Sequence, residues 1–150
     1  MQLKRFVIAA VVLLAGSGCA NADSQAELQK FQGDWVMVSA EMDGKAVGDA
    51  DVQSSRITFA GDKVEMIAPH QHNGTIKASI SRIDVTATPM QMHWVRSEGP
   101  NAGTTMMAVY EFEGPDQYRI SFDPAGATVP KEFRTAAGSG HIRQTWRRVK

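Results

Sequence analysis

Most of the residues that usually mark a function are scarce in this chain. It holds one cysteine, Cys19, in 150 residues, so the folded part can have neither a disulfide framework nor a thiolate metal site. Its longest apolar run, Phe6 to Ala15, is about ten residues, half of what a membrane-spanning helix needs. Neither sign of charge dominates, with 16 basic and 16 acidic residues. That balance gives no reason to expect nucleic acid, whose binding rests on a basic surface that releases phosphate counterions. The one weak basic patch, Arg143, Arg147, Arg148 and Lys150, reads as an exposed strand end. Internal repeats, long linkers and low-complexity segments are absent as well.

What is present begins with an export signal. Residues 1–22 combine a basic start (Lys4, Arg5), the apolar run, and small residues after it. Two processing routes are open. Ala20-Asn21-Ala22 has the small-x-small pattern of a secretory cleavage site. Leu14-Ala15-Gly16-Ser17-Gly18-Cys19 is similar to a bacterial lipobox, in which Cys19 would carry a lipid anchor, although Gly16 stands where leucine is usual. Both routes place the remaining domain, residues 23–150, in the periplasm or on the outer membrane. Without Lys4 and Arg5 it carries 14 basic against 16 acidic residues.

The rest of the chain changes to a period of two. Asp23 to Gln32 has the spacing of a short helix or turn, broken by Gly33. From Trp35 both faces are apolar, so the pattern does not say which is inside. Asp43-Gly44 is a strong turn signal, and Val47 to Ser55 reads as a loop or a short helical turn. Ile57 and Phe59 form a hairpin with Val64 and Met66 across Gly61-Asp62. Ile76, Ala78 and Ile80 make another one-sided strand, Ile83 and Val85 follow, and Met90 to Val95 extends the series. Met106, Ala108, Tyr110 and Phe112 pair with Tyr118, Ile120 and Phe122 across Gly114-Pro115-Asp116. A last strand carries Ile142, Gln144, Trp146 and Arg148 on one face. Short strands, close turns and no long helical period predict an all-β fold, an antiparallel barrel of about eight strands.

Phe31-x-Gly33-x-Trp35, the Asp43-Gly44 turn, Phe59-x-Gly61-Asp62, Tyr110-Glu111-Phe112-Glu113-Gly114, Pro130-x-x-Phe133 and the arginine-rich last strand together resemble the lipocalin-like domain of many uncharacterised planctomycete proteins. The resemblance runs from about Leu28 to Lys150. It implies a small exported antiparallel barrel with no established activity. It also implies that Trp35 lies at the closed barrel end under a late-strand arginine, with Arg148 the best match and Arg147 its neighbour.

Three constellations invite chemistry. His70-Gln71-His72 could ligate a metal, but the pair flanks a turn and a third ligand would have to come from afar. Met90-Gln91-Met92-His93-Trp94 offers the soft donors of a copper(I) carrier, yet strand alternation sends His93 away from Met92 and Trp94. Ser139 close to His141 suggests a hydrolase but lacks the nucleophile-elbow pattern. No metal, cofactor or catalytic residue is therefore expected.

The remaining functional surface is the barrel interior. Phe59, Met66, Met106, Ala108, Tyr110, Tyr118 and Phe122 either close on one another or surround a ligand. Adaptable methionines and tyrosine hydroxyls suit a mostly apolar site with a few polar anchors. The expectation is a non-enzymatic exported barrel that binds a small apolar or amphipathic molecule. The alternatives are a structural or protein-interaction module of the envelope, its partner unknown, and a periplasmic copper-binding protein.

Overall fold

A computed structural model describes the backbone from Gly18 to Lys150 and the side chains from Ala22 onward. The expected leader up to Ser17 and the Cys19 side chain lie outside the described residues. A helix, α1 (Gly18–Phe31), leads into β1 (Gly33–Met42), the two-residue β2 (Lys45–Ala46), a short α2 (Asp49–Ser54), and then β3 (Arg56–Ala60) to β9 (Ile142–Arg148). Between them run β4 (Lys63–Ala68), β5 (His72–Asp84), β6 (Met90–Glu98), β7 (Thr105–Phe112) and β8 (Gln117–Phe122). α1 thus runs across the expected boundary at residue 22, and no described helix is long and apolar enough to cross a membrane.

β3 pairs antiparallel with β1, each strand from β4 onward pairs antiparallel with its predecessor, and β9 returns to β1, so eight strands close into a barrel with β2 appended to β1. Closure satisfies the backbone groups that the edges of an open sheet would leave unpaired. The hairpins sit where the turn residues require them. Asp43 and Gly44 both have positive φ, 52° and 79°, the left-handed pair that matches the twist of adjoining strands.

Two irregularities decide which side chains face in. The β1–β9 register shifts between Met37 and Ser39. Trp35 and Met37 are inside before the shift, Ala40 after it, and Val38 is left 44% exposed. The β5–β6 register shifts between Ile80 and Arg82, so Ile80 and Ile83, an odd spacing apart, are both buried. One extra residue reverses the alternation beyond it. The two segments that sequence pattern separates, Ile76 to Ile80 and Ile83 onward, are one bulged strand.

The two barrel ends are built differently. At the first, α1 closes the barrel by inserting Phe31, whose ring lies 4.7 to 5.3 Å from those of Phe59, Tyr110, Phe112 and Tyr118. At the opposite end lie the β1–β2 turn, α2, the β4–β5 turn, the β6–β7 loop and the long segment 123–141. That segment is tied down: the Thr135 amide and hydroxyl both donate to the Glu41 carboxylate, at 2.7 and 2.6 Å, and Gly140 N–H donates to Asp43 at 2.9 Å.

Candidate functional site

The barrel interior divides along its axis. Its closed-end half is an aromatic plug. Phe31, Phe59, Tyr110 and Tyr118 are buried there with Trp35, and the Trp35 and Tyr118 rings meet edge-on at 4.8 Å. Edge-to-face pairs of this kind add to the area they bury. Tyr110 donates to the buried Glu27 carboxylate at 3.3 Å, and Glu27 also pairs with Lys30 at 2.6 Å. Burial foremost, and Glu27 next, push the Tyr110 pKa far above the phenol range. It is a neutral donor at any physiological pH.

Over this plug Arg148 lies 4.2 Å from the Trp35 ring centre. Its two terminal nitrogens donate to the carbonyls of Gln32 and Lys30, at 2.6 and 2.7 Å. These carbonyls, at the end of α1, have no partner within the helix, and a cation there also suits the helix dipole. Trp35 Nε1 donates to the neighbouring Phe31 carbonyl at 2.7 Å. Arg147, one residue earlier, points outward and is exposed.

The other half is a chamber walled by Val64, Met66, Ile76, Ala78, Trp94, Arg96, Met106, Ala108, Phe122 and Gln144. Its void is about 10 Å³, room for about one water molecule. Four of the interior residues expected to form a ligand site, Met66, Met106, Ala108 and Phe122, do line it. Phe59, Tyr110 and Tyr118 belong instead to the plug, where Phe31 from α1 takes up the space between them. Large rings stacked against a helix-borne ring leave no volume to share.

Arg96 dominates the chamber's chemistry. It is 1% exposed, and its Nη1 donates to the Pro100 carbonyl at 2.8 Å in the β6–β7 loop. Nε and Nη2 have no partner among the described residues, nor does any described carboxylate form an ion pair with the guanidinium. Burial accordingly pulls the Arg96 pKa below its ordinary value. Trp94, two residues earlier on the same inward face, also has an unpartnered Nε1. Gln144 is committed: its Oε1 accepts from Trp146 Nε1 at 3.1 Å and its amide nitrogen lies 3.3 Å from His70 Nε2. What remains free on this wall is therefore donors.

Arg96 was missed in the sequence because β6 reads as ending near Val95 and charged residues default to solvent. The available signal was the continued alternation Met92, Trp94, Arg96, all buried.

The other constellations come apart in space. Met92 and Trp94 face the interior and are buried, whereas His93 alternates to the other face of β6. Met90 Sδ lies 3.9 Å from the Tyr110 hydroxyl. His70 faces Gln144 near the chamber, while His72 opens β5 and lies against Gly74. Among the described residues no three His, Cys, Asp or Glu side chains converge as metal ligands. Ser139 Oγ donates to the Ala136 carbonyl at 2.6 Å. The His141 ring instead meets the Thr128 hydroxyl at 2.7 Å, and Thr128 is held by Asp123. Serine and imidazole are not joined as nucleophile and base.

Comparison with protein-family models, with curated proteins and with solved structures finds no match to this chain.

Proposed function

We propose that the protein is an exported lipocalin-like barrel that binds one small amphipathic molecule in the half of its interior away from α1. The export signal in residues 1–22 supports the location, in the periplasm or, through a lipid on Cys19, at the outer membrane. The observation that carries the binding reading is the asymmetry of the core. One half is filled by interlocked rings, and the other is walled by Met66, Met106 and Ala108 around a void beside free polar groups. Methionines change shape at low cost, so a narrow void can widen around a guest.

Isothermal titration with an apolar naphthalenesulfonate dye tests it. One dye per chain is expected, with binding lost when Ala78→Leu fills the chamber. No binding, or binding that ignores the filling substitution, rejects the reading.

A second reading, a non-catalytic interaction module of the envelope, is favoured by the smallness of the void, about 10 Å³. It requires that no small molecule enter the barrel.

A further inference from the structure

The free polar atoms of the chamber are all donors, and their arrangement narrows the guest. Arg96 spends Nη1 on the Pro100 carbonyl and leaves Nε and Nη2 open. Those two N–H groups lie on one edge of the guanidinium and point in parallel, the edge that grips a carboxylate with two hydrogen bonds. Trp94 Nε1, a donor only, is open on the same wall. Gln144 Oε1, the side-chain acceptor on this wall, already accepts from Trp146. Around these donors the wall is Val64, Met66, Ile76, Met106 and Phe122, which offers nothing to a second charge.

A buried guanidinium without a counter-charge is costly, and a chain loses little by replacing it with an apolar side chain of similar volume. Arg96 has a further option, a guest that brings the counter-charge. Resting on the reading of the chamber as a binding site, we infer that its ligand is a monocarboxylate with an apolar tail, its carboxylate held by Arg96 Nε and Nη2, its tail among Met66, Met106 and Phe122. Trp94 Nε1 supplies a third donor. Methionine side chains must turn aside to admit the tail, since the empty void holds little more than a water.

The test is calorimetric titration of the wild-type protein with octanoate, octanol, octylamine and acetate, repeated on Arg96→Met and Arg96→Lys. Octanoate is expected to bind one per chain, with octanol at least about tenfold weaker and octylamine and acetate weaker still. Arg96→Met should weaken octanoate by about 30-fold or more, the usual consequence of truncating a buried charge partner. Arg96→Lys, which keeps the charge and loses the two-pronged edge, should fall between. If octanol matches octanoate, or if both variants bind octanoate as the wild type does, the carboxylate assignment is wrong while the chamber remains a binding site. Acetate binding as tightly as octanoate overturns the tail. If none of the eight-carbon probes binds while the naphthalenesulfonate dye does, the assignment falls and the binding reading stands; if neither they nor the dye bind, both fall. The head-group series on the wild type decides the matter even if Arg96→Met does not fold.

Discussion

Arg148 lies 4.2 Å over the Trp35 ring and at the same time donates to the Lys30 and Gln32 carbonyls that end α1. One side chain from the last strand therefore joins the first strand and the helix that closes the barrel. It seals the ring of strands where the first and last strands meet, because β1 and β9 are the closing pair.

The first prediction concerns that contact. In a double-mutant cycle of Trp35→Phe and Arg148→Met, read by urea unfolding, the coupling should be about 0.5 to 2 kcal/mol. Arg148→Lys should recover little of the loss, since an ammonium cannot lie flat on the indole while bonding two carbonyls. A coupling near zero would show that the stack is incidental.

Phe31 is the ring on which the plug depends, touching four others from outside the sheet. Phe31→Ala should cost about 3 to 5 kcal/mol, the range for emptying a large aromatic site. Phe31→Leu should cost less. A loss under about 1 kcal/mol in the alanine variant would mean that α1 is dispensable to the barrel.

A third prediction separates backbone strain from crowding. Gly61 and Gly126 both have positive φ, 63° and 70°. A Cβ at Gly61 meets nothing within 4 Å, whereas at Gly126 it comes within 2.6 Å of Thr104 Cγ2 and 2.7 Å of the Thr105 carbonyl oxygen. Gly61→Ala should cost about 1 kcal/mol through conformation alone. Gly126→Ala should cost clearly more, because segment 123–141 would be pushed from the β6–β7 loop that holds Pro100. Equal losses in thermal unfolding would contradict the packing of the two loops.

His70 predicts a pH dependence. Trp146 Nε1 holds Gln144 Oε1, which turns the amide nitrogen toward His70 Nε2. Only an unprotonated Nε2 can accept there. Burial lowers the His70 pKa, with Asp51 opposing. The folded value thus lies below the unfolded one of about 6.5. The unfolded state then binds more protons between the two values, and stability falls as pH drops from about 6.5 through the folded pKa. His70→Gln should lessen this fall, measured by urea midpoints from pH 7.5 to 5.0. His93, also lowered by burial and by Arg82, should leave a residual slope. An unchanged profile in His70→Gln would assign the slope elsewhere.

Much of the architecture is written locally. Alternating stripes such as Met106, Ala108, Tyr110 and Tyr118, Ile120, Phe122 can bury one face only as strands, and Asp43-Gly44 and Gly61-Asp62 can scarcely be anything but turns. These suffice for an antiparallel barrel of about eight strands, whereas Trp35 and Arg148 as its closing pair follow from the lipocalin-like resemblance and not from the pattern.

What the residues could not announce is wherever a side chain's fate depends on a distant neighbour. The inside face of β1 rests on a bulge between Met37 and Ser39 that only the pairing with β9 reveals. The division of the interior rests on Phe31, a helical residue filling space among Phe59, Tyr110 and Tyr118, so three rings that pattern leaves open between packing and a ligand form the plug. Arg96 is the sharpest case. Pattern marks charge as solvated, and only closure of the barrel makes a guanidinium a buried donor with two bonds unmade, because burial is a property of the whole wall rather than of the residue.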